Sequence, residues 1–336
     1  MKAIYIRRYG NNQVVEYGER PKSQPGNGQL LVQVHAAGVN PVDFKIRDGK
    51  AKLIMPGALP LVLGNELSGV VVQTGAGVSR FKVGDAVFAR MDIQKIGAFA
   101  EYAVVDEGDA AFKPANLSHV QAAAVPLAAL TAWQALFEKA DLKAGHTVLI
   151  HAGSGGVGTL AIQLAKSVGA VVATTVGARN VDLVRSLGAD IVIDYARARF
   201  EDCVRDCDVI LDTQGGAIQQ RSFSLLKRGG TLVTINGMPD RAFAQRFKLN
   251  PLLGWMFHLA NSKPRRLAQA AGGRYEYLFM HPSGEQLTQI ARLLESGAVK
   301  PVIDRVFPLA QTAEALAYSG TGRATGKVVI EVRPAA

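Results

Sequence analysis

Residues 146–165 read HTVLIHAGSGGVGTLAIQLA, and the order of residue types along this stretch decides the fold class. A short apolar run with the texture of a β-strand leads into Gly153-Ser154-Gly155-Gly156-Val157-Gly158, and helical periodicity starts near Thr159. G-x-G-x-x-G alone is weak evidence. Here a strand precedes it, a helix follows it, and AVVATTV (170–176) supplies the second strand of a βαβ unit. Glycines permit the tight turn and let the backbone approach a pyrophosphate, whose charge sits at the helix N-terminus. Ser154, Gly155, Gly156, Val157 and Gly158 are therefore candidate dinucleotide contacts.

The end of the second strand indicates which dinucleotide. Sites for NAD place an acid about 20 residues after the glycines, whereas NADP sites need neutral and basic groups for the 2′-phosphate. The chain reads Thr174-Thr175-Val176-Gly177-Ala178-Arg179-Asn180, without an acid. Arg179 can pair with a phosphate bidentately and Thr175 can donate a hydrogen bond, so the expected cofactor is NADPH.

Outward from this motif the texture differs on its two sides. Up to Phe112 there are short β-type runs punctuated by Gly and Pro, among them LLVQVHAAGV, LSGVVVQTG, VGDAVFAR and GAFAEYAVV. They predict an irregular, mostly antiparallel β domain. From about residue 116 helices and strands alternate: an Ala-rich helix Val120–Lys139, the strand and helix of the motif, a helix VDLVRSLG, strands ADIVIDY and CDVILDTQG, a helix Ser222–Lys227, and a strand GTLVTING. Alternation of this kind implies a parallel, doubly wound sheet. Residues 238–282 are less regular, and LNPLLGWMFHLANSKPRRLA within them reads as one helix that covers a pocket or a subunit interface. The chain closes on strand, helix and strand, the last of which returns to the first domain. The expected division is 1–115 with 301–336 as the β-rich domain, and 116–300 as the Rossmann domain.

A length of 336 residues with 48% hydrophobic content and 35 Gly suits two α/β domains. The net charge of +10 is spread along the chain without a nucleic-acid-binding motif, so attraction to anionic cofactors is the expected use. Cys203 and Cys207 supply neither a disulfide framework nor a four-thiolate zinc site, which points to a reducing, cytoplasmic compartment. The opening MKAIYIRRYG reads as a strand rather than a signal peptide. No apolar run reaches the roughly 20 residues that span a bilayer, so no membrane partner is expected.

Several stretches together resemble the zinc-free quinone and enone (alkenal) reductases of the medium-chain dehydrogenase/reductase family: AAGVNPVDFKIRDG, PLVLGNELSGVV, VGDAVFA, GAFAEYAVV, PLAALTAW, HAGSGGVGTLAIQLAK, LVRSLGADIVIDY and ATGKVVIEV. The resemblance covers essentially the whole chain. It implies a GroES-like catalytic domain, a Rossmann NADP-binding domain and a homodimer formed through the Rossmann sheet edge. In zinc-containing relatives a Cys follows the A-x-G segment and a His stands in G-H-E; here those places hold Asn40 and Asn65, which are poor Zn²⁺ ligands. No metal is expected.

The same resemblance assigns Asn40 and Lys45 to the catalytic region beside nicotinamide and substrate. Lys45, where many quinone reductases carry Tyr, would bond either the nicotinamide ribose or the substrate oxygen. Thr131, Ile235 and Gly237 match nicotinamide-contacting positions, Tyr195 one near the adenosine phosphate, and Lys327 would close the adenosine side. The implied reaction is hydride transfer from NADPH to a small-molecule quinone or to the activated C=C bond of an α,β-unsaturated carbonyl. Two other classes stay open, a non-catalytic NADPH-binding protein and a basic nucleic-acid-binding protein.

Overall fold

A computed structural model describes residues 1–55 and 59–333. The chain divides into a first unit, Met1–Leu130 together with the chain from His281, and a second unit, Thr131–Met280. Strands β1 (Lys2–Ile6), β2 (Val15–Glu19), β3 (Gln29–Val39), β4 (Leu61–Val62), β5 (Glu66–Thr74), β6 (Ala86–Arg90), β7 (Tyr102–Asp106) and β8 (Ala110–Phe112) precede the boundary. The second unit contains β9 (Thr147–Ile150), β10 (Val171–Val176), β11 (Ile191–Asp194), β12 (Cys207–Asp212), β13 (Leu226–Thr234) and β14 (Arg274–Tyr277). The returning chain adds β15 (Ile303–Pro308) and β16 (Lys327–Glu331).

In the first unit one small sheet runs β2-β1-β4, and a larger one runs β15-β16-β3-β5-β6-β8 with β7 also paired to β3. The apolar strand β3 lies at the centre, flanked by β5, β7 and β16, which explains why nearly all of it is buried. Its antiparallel register with β16 pairs Val39 with Val328, so Lys327 arrives beside Asn40. The second unit holds a wholly parallel sheet in the order β11-β10-β9-β12-β13-β14. This is the doubly wound strand order of dinucleotide-binding folds, in which ligands meet the carboxyl ends of the strands.

Four details depart from the sequence reading. The helix expected over Val120–Lys139 is broken into His119–Ala123, Pro126–Trp133 and a wide helical turn Gln134–Lys139. Pro126 lacks the N–H that a continuous helix needs, and Ser118 and Gln121 cap the first piece as a box. The helix expected over Ser222–Lys227 starts earlier, at Gly216–Ser222, and continues only as the short 3-10 helix Phe223–Leu225, because Leu226 pairs with Cys207 in the sheet and Lys227 bonds Asp208 at 2.8 Å.

The single helix expected over residues 249–268 is two, Pro251–Ala260 and Ser262–Ala270. They break at the buried Asn261, whose amide donates to Phe257 O, Met238 O and Pro239 O. The irregular segment also contains the helix Arg241–Arg246 and strand β14. Finally, residues 116–130 and 281–300 belong with the first unit rather than the second. Asn116 Nδ2 bonds Leu294 O at 3.0 Å, and the helix Gly284–Glu295 starts against β8, where a Cβ on Gly284 would lie 2.3 Å from Ala110 O.

Candidate functional site

In the second unit the expected cofactor residues other than Thr131, which lies in the helix Pro126–Trp133, stand at or just beyond the carboxyl ends of parallel strands. After β9 the chain turns through Gly153–Gly158 into the helix Gly156–Ser167, whose N-cap is Gly155 with no side-chain cap. Uncapped N–H groups at a helix start form an anion site. Two of the glycines are sterically obligatory. A Cβ on Gly153 would lie 2.0 Å from Thr174 Oγ1 and one on Gly158 2.4 Å from Ala152 O, whereas one on Gly155 meets nothing nearer than 3.4 Å. Thus Gly153 and Gly158 let the turn and helix close onto the sheet, and Gly155 leaves room above it. The turn fits a dinucleotide pyrophosphate.

Past the end of β10, Arg179 is exposed in the turn Ala178–Asn180. Tyr195 follows β11, is 70% exposed, and places its hydroxyl 3.0 Å from where a Cβ on Gly177 would sit. Arg179 and Tyr195 therefore share one corner. Ile235 and Gly237 follow β13, and Thr131 is buried at the start of the unit.

Thr175 is a correction. Its hydroxyl accepts from Ala152 N at 3.1 Å and lies 3.2 Å from His151 Nδ1. Ser222 donates to Ile218 O, so it accepts from His151 Nε2 at 2.9 Å; that assignment leaves Nδ1 to accept the Thr175 hydrogen. Burial lowers the His151 pKa to about 4, keeping the ring neutral. The Thr175 hydrogen is thereby committed inside the unit instead of to a 2′-phosphate.

Sequence reasoning did not find Asp212, buried at the end of β12. Its carboxylate accepts from the backbone N–H groups of Gln214 and Gly215 and from the side chains of Gln219 and Thr234, at 2.8 to 2.9 Å. The bonds to Gln214 and Gly215 shape the turn after β12, and the bond to Thr234 ties down the end of β13 just before Ile235. An acid closing the apolar run Val209-Ile210-Leu211 was the available signal.

The first unit holds a buried polar cluster around Asn40. Asn40 caps the helix Pro41–Arg47, with Pro41 at the first helical position and Asp43 at the third. Asp43 accepts from Asn40 N and from Asn65 Nδ2, both at 2.7 Å. Asn40 Nδ2 donates to Glu66 Oε1 at 2.6 Å, and Lys327 Nζ donates to Asn40 Oδ1 at 2.5 Å and to Glu66 Oε1 at 2.8 Å. Leu127 N donates to Glu66 Oε2 at 2.6 Å. Burial pushes the Asp43 carboxyl up to about 7, against the lowering pull of the Asn65 amide and the Asn40 N–H. Among the described residues Asn65 Oδ1 receives no donor.

The expectation that Lys327 closes an adenosine site is also corrected: it is 4% exposed, and its donors go to Glu66, Asn40 and Val39 O. Asn40 Nδ2 makes only a long contact, 3.4 Å to Gly38 O, beyond its bond to Glu66, while its Oδ1 accepts from Lys327. Lys45 differs. It is exposed on the helix Pro41–Arg47, and nothing among the described residues holds its ammonium. Glu66 and Asp43 are the members that sequence reasoning passed over as site residues.

Comparison with known proteins agrees with both halves. The model of the alcohol dehydrogenase GroES-like domain matches residues 26–115, and that of the zinc-binding dehydrogenase matches residues 187–330. A 2-methylene-furan-3-one reductase of Solanum lycopersicum is 38% identical over 99% of this chain and 80% of its own. The NADPH-dependent alkenal/one oxidoreductase, chloroplastic, of Arabidopsis thaliana is 36% identical over 90% of this chain and 72% of its own. The solved quinone oxidoreductase of Coxiella burnetii superposes with a TM-score of 0.86 at 32% identity, covering 99% of each chain. Zinc, implied by the second model's description, does not fit: two neutral amides stand where thiolate and imidazole ligands are needed.

Proposed function

The chain belongs to the medium-chain dehydrogenase/reductase family, among its quinone and alkenal/one oxidoreductases, and from that premise we propose a zinc-independent reductase of quinones or of activated C=C bonds. That it is an NADPH-dependent oxidoreductase of a small molecule follows from the family. One observation carries the zinc-independent part: Asn40 and Asn65 occupy the ligand positions, and the Asn40 amide is committed to Glu66 and Lys327.

When bound, NADPH supplies the hydride. The turn Ser154–Gly158 would hold its pyrophosphate, Arg179 its 2′-phosphate, Tyr195 its adenosine side, and Thr131, Ile235 and Gly237 its nicotinamide. Lys45 would bond either the nicotinamide ribose or the substrate oxygen. Reduction at the β-carbon of an enone spreads that charge over an enolate, which hydrogen bonds from an ammonium and water stabilise. Reduction at the carbonyl carbon concentrates it on one oxygen, the case for which a metal Lewis acid is suited. We further propose a homodimer, with β14 as the outermost strand of its sheet, working in the cytoplasm with both cysteines free. No described helix is long and apolar enough to cross a membrane.

The test is NADPH oxidation in the presence of alkenals, cyclic enones and quinones, with and without a zinc chelator. Turnover of at least one class, unchanged by chelation, is expected. Chelator-sensitive turnover, or none with any class, contradicts the proposal.

A further inference from the structure

Ala152 opens the turn between β9 and its helix, and its backbone stands in the left-handed region with a φ of 55°. Glycine takes up that conformation freely, whereas a residue with a Cβ is strained in it and needs a neighbour to hold it. The Ala152 carbonyl accepts from Gly155 N at 3.0 Å and would lie 2.4 Å from a Cβ on Gly158, so this one peptide sets where the glycines and the helix start lie. What holds it is a side chain on the neighbouring strand: Ala152 N donates to Thr175 Oγ1 at 3.1 Å. Behind Thr175 a chain of polar groups leads away from the turn. The Thr175 hydroxyl gives its hydrogen to His151 Nδ1 at 3.2 Å, His151 Nε2 donates to Ser222 Oγ at 2.9 Å, and Ser222 donates to Ile218 O at 2.8 Å. All three side chains are buried, and Phe200 packs edge-on against the imidazole at 4.9 Å between centroids. A hydroxyl has one hydrogen, so giving it to the ring turns a lone pair of Thr175 toward Ala152.

We propose that Ser222, His151 and Thr175 form a buried relay that fixes the left-handed Ala152 peptide and so pre-sets the turn for a dinucleotide pyrophosphate. His151 and Thr175 are then positioning residues, which act on the cofactor through the backbone without touching it. Thr175 serves the pyrophosphate in this way, and not the 2′-phosphate. A turn already held in its binding conformation loses less freedom when the ligand arrives, which is how a buried relay strengthens a contact it does not make. The inference rests on the reading of this turn as the NADPH site.

The experiment titrates NADPH and NADH calorimetrically into the full chain and its variants. Thr175→Ala should weaken both about fivefold, as the loss of one net hydrogen bond does, because both carry the pyrophosphate. Thr175→Ser keeps the hydroxyl and should bind as the unaltered chain does. His151→Leu should weaken both dinucleotides too, and combining it with Thr175→Ala should cost no more than Thr175→Ala alone, since the ring acts through the hydroxyl. The decisive variant is Ala152→Gly. Glycine adopts the left-handed backbone without help, so Ala152→Gly added to Thr175→Ala should recover most of the lost affinity. A general loosening of the fold would not be repaired at that position.

No loss in Thr175→Ala, or a loss that Ala152→Gly does not restore, overturns the proposal while leaving the cofactor reading intact. An unaltered chain that binds neither dinucleotide overturns the cofactor reading and the proposal with it. Should circular dichroism show His151→Leu unfolded, His151→Asn takes its place: its amide oxygen can accept the Thr175 hydrogen where Nδ1 did, and binding should be kept. A loss in His151→Asn as large as that in Thr175→Ala would overturn the relay.

Discussion

Arg179 stands in the turn directly after β10, at the corner it shares with Tyr195, and no acid accompanies it in Thr174–Asn180. A charge-assisted contact to a 2′-phosphate contributes about 1.5–3 kcal/mol. Arg179→Ala should therefore weaken NADPH about tenfold or more while leaving NADH nearly unchanged; calorimetric titration giving equal losses for both would show that Arg179 does not read the phosphate. Asp43 makes a prediction of a different kind. Burial raises its pKa from 3.8 to about 7, so between those values the folded chain holds a proton that the unfolded chain has released. Its contribution to stability is full below 3.8 and is lost as pH climbs through about 7. Asp109, raised by burial to about 6, also carries a proton at pH 5, so the infrared carbonyl band of protonated carboxylic acid should fade in two steps, and Asp43→Asn should remove the step near 7. A band without a step near 7 would contradict the assignment.

At the scale of the element, the turn between β9 and its helix separates obligatory from permissive glycines. Gly153→Ala drives a Cβ to 2.0 Å from Thr174 Oγ1, and Gly158→Ala to 2.4 Å from the Ala152 carbonyl. Each should cost about 1–3 kcal/mol in urea unfolding, as overpacking does. Gly155→Ala, with 3.4 Å to its nearest neighbour, should cost far less. An equal loss at all three positions would mean that the turn is not held against the sheet in this way. The β9-turn-helix unit was legible in sequence because strand, glycines and helix follow in register with no competing signal. The breaks at Pro126 and Asn261 were harder to read. Pro126 sits in an Ala-rich stretch with strong helical propensity, and Asn261 ends its helix through tertiary acceptors, Met238 O and Pro239 O, more than 20 residues away in sequence. Strand β14 was missed because RYEY is short and polar enough to pass for a loop, and only its parallel pairing with β13 makes it a strand.

For the whole molecule, the proposed homodimer predicts a light-scattering mass near twice 35.7 kDa. A single species at the monomer mass would remove it. The placement of the glycines, Arg179 and Tyr195 just after strand ends was largely legible, since each follows its strand directly along the chain. The Asn40 cluster was less so, because Lys327 reaches Asn40 only through strand pairing across the length of the chain, and sequence spacing carries no trace of that contact. The same blindness assigned Thr175 to the phosphate, since a hydroxyl's commitment to His151 depends on a neighbouring strand. What the molecule does with these parts is tested most directly by the fate of one deuterium. With C4-deuterated NADPH and a conjugated enone, the account predicts the saturated ketone, carrying deuterium on the β-carbon by NMR. An allylic alcohol with deuterium on the carbinol carbon would contradict it.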